Sequence, residues 1–516
     1  MTHILLIYLV GLLALVLGAE RRGEPTRRLV VAPLLAIAWA LAFLVAAAIV
    51  QETLKALHVP DVLVWAAAVL LLAGAGFLTV KWPGPAPSEQ LQRGARVMAA
   101  PSRPSPPSAL AQSGAPLTFA GVPVPAGDDT KHFKIIGTTG TGKSTAIAEL
   151  LKGALARGDR AVLADPDGGY RARFFDAQRG DVILNPFDPR SRSWDLYAEL
   201  RNPYDYDQMA RALVGEDPGP NQVWHRYGQT FLAALLRQTH AAGVGDIAEL
   251  YRLITRAPLE ELRLMLDGTA ARPFVEAGNE EMFGSIRSIT TTQVAALSYL
   301  QTPTGTPFSI RRWVEEGSGV LFLPYQADQI AALRGLLSTW LRLAIFQTMS
   351  PSTPEADPAT ITGARADAKL WFVIDELDAL AAIDGLKDAL VRLRKFGGRC
   401  VLGFQAIAQV STTYGDGAAQ SIVENCGNTL ILRCSASEHG GTAQFASRLI
   451  GDRELIRVQE SRSRRPTEWQ DTVSTGAHHV IEAAVLPSEI EQLPDLAGFL
   501  KLASTPSWQR VRIARN

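Results

Sequence analysis

The 516-residue sequence contains few cysteines and no excess of either charge, and both features narrow the classes of protein it fits. Its cysteines, Cys400, Cys426 and Cys434, form no CxxC pair, which argues against a zinc site or a disulfide framework and favours a reducing compartment. Fifty-one basic residues balance 51 acidic ones, which excludes a uniformly basic nucleic-acid coat. With 47% hydrophobic residues, the chain is long enough for about two or three folded domains.

The first eighty residues hold three long uncharged apolar runs, whereas the rest of the sequence is typical of a globular protein. Residues 29–50 and 62–80 are each long enough to cross a hydrocarbon layer of roughly 30 Å, and we predict two transmembrane helices there. Residues 4–19 are shorter, so a signal peptide, a marginal third span and a helix buried among the others all remain open. The first three residues supply no basic segment of the kind that signal peptides carry.

The short loops between these runs predict the orientation in the membrane. Residues 20–28 contain four arginines, whereas residues 51–61 contain one lysine and two carboxylates. Arginine-rich short loops stay in the cytoplasm, so the chain after residue 80 is expected inside. With three spans, the N-terminus is expected outside.

The remaining sequence predicts an α/β fold. From residue 132 onward, runs such as RAVLAD, VLFLPY, LWFVID and CVLGFQ alternate with amphipathic helical stretches, which is typical of a mainly parallel sheet. Strand patterns disappear between residues 204 and 302, where helical spacing predicts an inserted all-α domain. The predicted parts are a membrane anchor (1–82), a Pro/Ser-rich linker (83–118), a nucleotide-binding domain (119–203 and 303–516) and the insertion (204–302).

A phosphate-binding loop is the strongest motif. Residues 137–144 read GTTGTGKS, follow a predicted strand and precede a predicted helix, as a P-loop requires. Its lysine is expected to reach the β- and γ-phosphates of ATP and its serine to ligate Mg²⁺, whereas a bare glycine-rich turn would need neither residue. The predicted nucleotide-binding residues are Gly137, Thr138, Thr139, Gly140, Thr141, Gly142, Lys143, Ser144 and Thr145.

Two carboxylates follow the strand LWFVI and form the second motif. Asp375 at the strand end is expected to hold Mg²⁺ through water, and Glu376 to polarise the attacking water. An acidic strand end also occurs by chance, so the prediction depends on its pairing with the phosphate loop. Gln405, at the end of CVLGFQ, is placed to bond the γ-phosphate or the attacking water.

A basic run precedes the strand CVLGFQ. Arg392, Arg394, Lys395 and Arg399 surround two glycines, on a helix end expected near the nucleotide. One of them could enter a neighbouring subunit's site as an arginine finger, a group worth about 10³ in rate. The alternative is a solvated basic helix end that complements the helix dipole.

Several ordered segments together resemble one family. GTTGTGKST, ADPDGGY, LNPFDPR, FSIRRW, LWFVIDELDAL, LRKFGGR, GFQAIAQV and LPSEIEQLPDL resemble the type IV coupling proteins, the TraG/TraD family of conjugative systems. The resemblance implies a RecA-like P-loop ATPase of the bacterial inner membrane that assembles as a homo-hexamer. It also implies recruitment of a relaxase bound to single-stranded DNA and delivery of this substrate into a type IV secretion channel.

The resemblance assigns roles residue by residue. It implies that Lys143 and Ser144 serve the phosphate loop, that Gln405 is a sensor and that Arg394 enters the neighbouring subunit's site. It implies metal and water roles for Asp375 and Glu376. The loop at residues 51–61 is shorter than the periplasmic loop usual in the family, and the C-terminal extension of some members is not expected here.

Two other functions remain open at this stage. One is a nucleotide-gated receptor or scaffold that delivers protein effectors without pumping DNA, and the other is a double-strand translocase. Residues 201–310 contain nine arginines against twelve carboxylates and no ladder of aromatic residues, so the insertion gives no independent evidence for DNA.

Overall fold

The computed structural model describes residues 89–99, 117–216, 219–301, 305–350, 369–437, 441–463 and 472–515. The predicted membrane segments at residues 4–80 lie outside the described residues. Within the described ranges, no helix has the length and apolar character needed to cross a membrane. The chain divides into two compact units, residues 1–90 with 458–476, and residues 91–457 with 477–516. All of the described helices and the main sheet belong to the second unit.

Seventeen strands are described. They are β1 (Glu89–Gly94), β2 (Val97–Met98), β3 (Thr118–Phe119), β4 (Val122–Pro123), β5 (Phe133–Ile136), β6 (Arg160–Pro166), β7 (Val182–Ile183), β8 (Ser193–Trp194), β9 (Pro307–Phe308), β10 (Val320–Tyr325), β11 (Leu370–Ile374), β12 (Gly398–Phe404), β13 (Asn428–Ile431), β14 (Asp452–Ser463), β15 (Thr472–Ala483), β16 (Ala497–Lys501) and β17 (Trp508–Arg512).

Fourteen α-helices are described. They are α1 (Lys143–Ala156), α2 (Gly169–Phe174), α3 (Asp205–Val214), α4 (Gln222–Ala241), α5 (Ile247–Thr255), α6 (Leu259–Met265), α7 (Glu280–Gln293), α8 (Ile310–Glu316), α9 (Ile330–Met349), α10 (Leu386–Leu393), α11 (Ile407–Tyr414), α12 (Asp416–Asn425), α13 (Gly441–Ile450) and α14 (Pro487–Glu491).

The main sheet has ten strands in the order β2-β17-β16-β13-β5-β12-β11-β6-β10-β7. Every neighbouring pair from β13 to β7 is parallel, which confirms the predicted mainly parallel sheet. The strands β16 and β17 add to one side in antiparallel orientation, and the sequence analysis did not anticipate them. Strand β12 lies between β5 and β11, so the phosphate-loop strand and the acidic strand are separated by one strand.

Both faces of the central strands are buried, which explains their continuous apolar sequence. In β11, Trp371 and Val373 pack into the cluster that also contains the inner face of α1. Phe372 and Ile374 point to the opposite face and join a larger cluster. Because successive side chains alternate between faces, a strand covered by helices on both sides needs apolar residues at every position.

The described residues between β8 and β9 form helices and no strand, so the predicted helical domain is confirmed as a structural feature. Its core residues, among them Phe231, Leu250 and Phe283, belong to the same hydrophobic cluster as Ile374 of the sheet. The helical domain is therefore continuous with the core under one face of the sheet.

Candidate nucleotide-binding site

The phosphate loop connects the end of β5 to the start of α1. Its conformation requires glycine at three positions. Gly140 and Gly142 have φ angles of 77° and 113°, in the left-handed region that other residues rarely adopt. A Cβ atom on Gly137 would lie 2.8 Å from the Cβ of Leu432, so a side chain there would collide with the end of β13.

Lys143 begins α1 and is buried. Its Nζ donates hydrogen bonds to the carbonyl oxygens of Gly137, at 2.7 Å, and Thr138, at 3.3 Å. Burial lowers the pKa of Lys143, while the nearby carboxylates Asp375 and Glu376 act in the opposite direction. The ammonium group therefore lies inside the curve of the loop, where phosphate oxygens would be its natural partners.

The loop is fixed in place by two residues from distant parts of the sequence. The carbonyl of Arg433, just after β13, accepts the N–H of Thr138 at 2.9 Å, and the N–H of Leu496 donates to the carbonyl of Thr141 at 2.9 Å. Arg433 also forms an ion pair with Asp495 at 2.7 Å. Sequence reasoning missed this support, although Asp495 and Leu496 lie in the segment LPSEIEQLPDL.

The predicted metal ligands meet at the end of β11. The Ser144 hydroxyl donates to Oδ2 of Asp375 at 2.6 Å, which joins the phosphate loop to the acidic strand. The other carboxylate oxygen, Oδ1, is buried and has no hydrogen-bond partner among the described residues. Buried polar atoms without partners are rare and often mark a ligand site. A hydroxyl and a carboxylate are hard oxygen ligands, so these two residues fit Mg²⁺.

Glu376 and Gln405 lie next to each other and next to the phosphate loop. Nε2 of Gln405 donates to Oε1 of Glu376 at 3.2 Å, and the hydroxyl of Thr139 donates to Oε1 of Gln405 at 3.0 Å. Burial raises the pKa of Glu376, and the charges of Asp375 and Asp378 raise it further. A carboxylate with a raised pKa is a better proton acceptor, as activation of a water molecule requires.

Two residues near the acidic pair were not predicted from the sequence. Oδ2 of Asp378 accepts the backbone N–H of Gln405 at 3.4 Å, while its Oδ1 is buried without a partner in the described parts of the chain. The Tyr170 hydroxyl donates to Oδ2 of Asp375 at 2.8 Å. Asp378 lies in the quoted segment LWFVIDELDAL and Tyr170 in ADPDGGY, so the only available signal was the family resemblance.

The basic run lies at the opposite edge of the sheet from the phosphate loop of the same chain. Arg394 precedes β12, whereas Gln405 follows this seven-residue strand, so the two ends are about 20 Å apart. The expectation that this helix end lies near the nucleotide is therefore wrong within one subunit, because strand polarity separates them. Arg392, Arg394 and Lys395 are exposed.

Arg399 and His132 hold the basic run against the sheet. Arg399 is only 3% exposed and donates to Asp129 at 3.1 Å, so it is not free to reach another subunit. His132 bonds the carbonyl of Leu390 through Nε2 at 2.9 Å and accepts the N–H of Cys400 through Nδ1 at 3.0 Å. Burial lowers the pKa of His132 to about 4, so its ring is neutral at pH 7.

These elements define a P-loop nucleotide-binding fold of the RecA-like type: a phosphate loop, an acidic strand end and a polar strand end between them, all at one edge of a parallel sheet. Comparison with known protein families identifies one family within this class of nucleotide-binding proteins. The family model of the type IV secretion-system coupling protein DNA-binding domain matches residues 116–514, and the chain belongs to this family.

Individual relatives agree with this assignment. The coupling protein TraD of Escherichia coli (strain K12) is 30% identical over 393 residues, which is 75% of this chain and 53% of TraD, so the chain spans about half of that relative. The structure of the conjugative coupling protein TrwBdeltaN70 superposes with a TM-score of 0.71 at 30% identity, covering 84% of this chain and 95% of TrwBdeltaN70.

Two further TrwB structures contain nucleotides. TrwB in complex with the non-hydrolysable ATP analogue ADPNP gives a TM-score of 0.70 at 30% identity, covering 84% of this chain and 96% of that one. TrwB in complex with ADP and Mg²⁺ gives a TM-score of 0.67 at 30% identity, covering 78% of this chain and 90% of that one.

Proposed function

We propose that the protein is the coupling ATPase of a conjugative type IV secretion system, which uses ATP to drive single-stranded DNA and its attached relaxase into the secretion channel. One observation carries this proposal. Lys143, Ser144, Asp375, Glu376 and Gln405 converge at one edge of the sheet. Ser144 donates to Asp375, Gln405 donates to Glu376, and Thr139 of the phosphate loop donates to Gln405. Nucleotide binding alone would require the lysine and serine, whereas the glutamate and glutamine are the groups that hydrolysis needs.

Each group has a separate role in the proposed reaction. Lys143 binds the β- and γ-phosphates, and Ser144 with Asp375 holds Mg²⁺, which neutralises charge on the phosphates when bound. Glu376 accepts a proton from the attacking water, and Gln405 orients that water or the γ-phosphate. Arg394 stabilises the charge that develops on the γ-phosphate in the neighbouring subunit. TrwB in complex with ADPNP and with ADP and Mg²⁺ supports the choice of ligands.

The organisation around this core is also part of the proposal. Residues 1–82 anchor the protein in the bacterial inner membrane, residues 83–118 are a linker, and residues 204–302 form a domain inserted into the nucleotide-binding domain. Six subunits form a ring that surrounds the DNA, since the Arg394 edge and the phosphate-loop edge face different neighbours. The relationship to TraD and to conjugative TrwB supports the membrane location and the DNA substrate.

Reporter fusions test the membrane topology. A reporter fused after Leu57 is expected to be active in the periplasm and one fused after Gly23 in the cytoplasm, because the four arginines of residues 20–28 resist export. Alkaline phosphatase and green fluorescent protein fusions measure the two locations. A cytoplasmic reporter after Leu57 would reverse the orientation, and periplasmic reporters at both positions would favour a cleaved or misread first segment.

ATP hydrolysis by the full-length protein tests the function itself. Phosphate release is expected to increase several-fold with single-stranded DNA and to lose this stimulation at high salt, because phosphate contacts release counterions. Lys143→Ala is the control for contaminating ATPases. Hydrolysis that ignores DNA would favour a receptor for protein effectors, stronger stimulation by duplex DNA would favour a double-strand translocase, and no hydrolysis above the control would contradict the proposed ATPase.

A further inference from the structure

The segment ADPDGGY, residues 164–170, has no role in the proposed reaction, yet it ends beside the catalytic edge. It begins in the last three residues of β6, the strand next to β11. Both oxygens of the buried Asp165 accept backbone N–H groups, from Tyr170 at 2.9 Å and from Arg171 at 2.7 Å. Asp167 and Gly168 have φ angles of 56° and 69°, so the chain turns sharply between the strand and the first turn of α2.

This turn places Tyr170 between the ends of β6 and β11. The residue is 5% exposed, and its ring packs in the core cluster that contains Ile147 of α1 and Val373 of β11. Its hydroxyl donates to Oδ2 of Asp375 at 2.8 Å, the same oxygen that accepts the Ser144 hydroxyl at 2.6 Å. A tyrosine hydroxyl can donate and accept, and a carboxylate can only accept, so the phenol is the donor in this hydrogen bond.

We propose that Tyr170 is a positioning residue for the metal site: its hydroxyl holds the carboxylate of Asp375 in the orientation that binds nucleotide-associated Mg²⁺. This inference rests on the proposed nucleotide site and adds a residue to it. Ser144 and Tyr170 are the two side-chain donors to this carboxylate among the described residues. If Ser144 served as a metal ligand, its hydroxyl oxygen would be committed to the cation, and Tyr170 would be the donor that holds the carboxylate.

The role of Asp165 follows from the same geometry. Its carboxylate holds the backbone of Tyr170, and Tyr170 in turn holds Asp375 through the hydroxyl, so the order of contacts is Asp165, Tyr170, Asp375. Groups that orient metal ligands in this way are worth about 10- to 100-fold in metal affinity. Gly168, whose φ of 69° lies in the left-handed region, allows the tight turn that brings the tyrosine under the strand ends.

Tyr170→Phe tests the proposal because it removes only the hydroxyl and leaves the ring in the core. Binding of Mn²⁺, a paramagnetic substitute for Mg²⁺, to the full-length protein with ADP is measured by electron paramagnetic resonance. We expect the Kd for Mn²⁺ to increase about tenfold. The affinity for a fluorescent ATP analogue in EDTA, where no metal is present, is expected to stay at the parent value.

Tyr197→Phe is the matched control. Tyr197 is also a buried tyrosine, and its hydroxyl bonds Thr239 of helix α4 at 2.8 Å. Removing that hydroxyl is expected to change thermal unfolding about as much as Tyr170→Phe does, without changing the Kd for Mn²⁺. Parent-like Mn²⁺ affinity in Tyr170→Phe, or equal losses in both variants, would overturn the positioning role. If the parent protein bound neither Mn²⁺ with ADP nor the fluorescent ATP analogue in EDTA, the proposed nucleotide site itself would be overturned.

Discussion

Glu376→Gln is expected to bind ATP with the parent affinity and to hydrolyse it at least about 100-fold more slowly, because the amide cannot accept a proton from the attacking water. The substitution preserves the local structure. The amide carbonyl can still accept the hydrogen bond that Gln405 donates to Oε1 of Glu376 at 3.2 Å. Phosphate release and the amount of nucleotide retained after gel filtration measure the two expected effects.

Two controls separate chemistry from binding. Lys143→Ala removes the ammonium group inside the phosphate loop and is expected to lose nucleotide affinity as well as turnover. Glu149→Gln neutralises a carboxylate on the same helix α1 that bonds the N–H of Gly121 at 3.0 Å, away from the acidic strand, and is expected to keep the parent rate. Parent-rate hydrolysis by Glu376→Gln would remove Glu376 as the water activator.

Arg394→Ala is expected to reduce turnover by about 10³, although Arg394 lies far from the phosphate loop of its own chain. The loss is expected because we propose that the guanidinium completes the site of a neighbouring subunit. Mixing Arg394→Ala subunits with Glu376→Gln subunits should restore part of the activity that each variant lacks. In such mixtures, some interfaces join an intact Arg394 on one subunit to an intact Glu376 on the next.

The mixing curve distinguishes action between subunits from action within one. ATPase rates are measured across mixing ratios after subunit exchange has been confirmed by energy transfer between labelled subunits. Arg392→Ala, which changes a neighbouring exposed arginine, is the matched control and should retain turnover near the parent rate. A straight line between the two inactive proteins would show that Arg394 does not act across the interface.

The sequence predicted those parts of the fold and site that depend on local patterns. The phosphate loop, the apolar strands and the helical domain each follow from residues that are close together in the chain. The antiparallel strands β16 and β17 were missed, because their sequences lack the continuous apolar character of the central strands. The contacts of Tyr170 with Asp375 and of Leu496 with Thr141 were missed because they join segments that are far apart in sequence.

The predicted position of Arg394 near the nucleotide of its own chain was wrong for a different reason. The basic run comes before β12 and Gln405 comes after it, so the direction of the strand already assigned them to opposite edges of a parallel sheet. The basic run was nevertheless expected near the nucleotide of the same chain, and the strand direction makes this expectation wrong. The structure excludes a role for Arg394 at the nucleotide of its own subunit. Its role at the nucleotide of a neighbouring subunit stays a proposal.

The separation of Arg394 from the phosphate loop also limits the symmetry of the proposed ring of subunits. A subunit that donates Arg394 from one edge and receives a neighbour's arginine at the other uses two different surfaces, so the contact is heterologous. A pair of subunits joined by one such contact contains one complete site and leaves one surface of each kind unused. Every such surface is used only when the subunits close into a ring. If the rotation between neighbouring subunits did not close the ring, the subunits would extend into a helical filament.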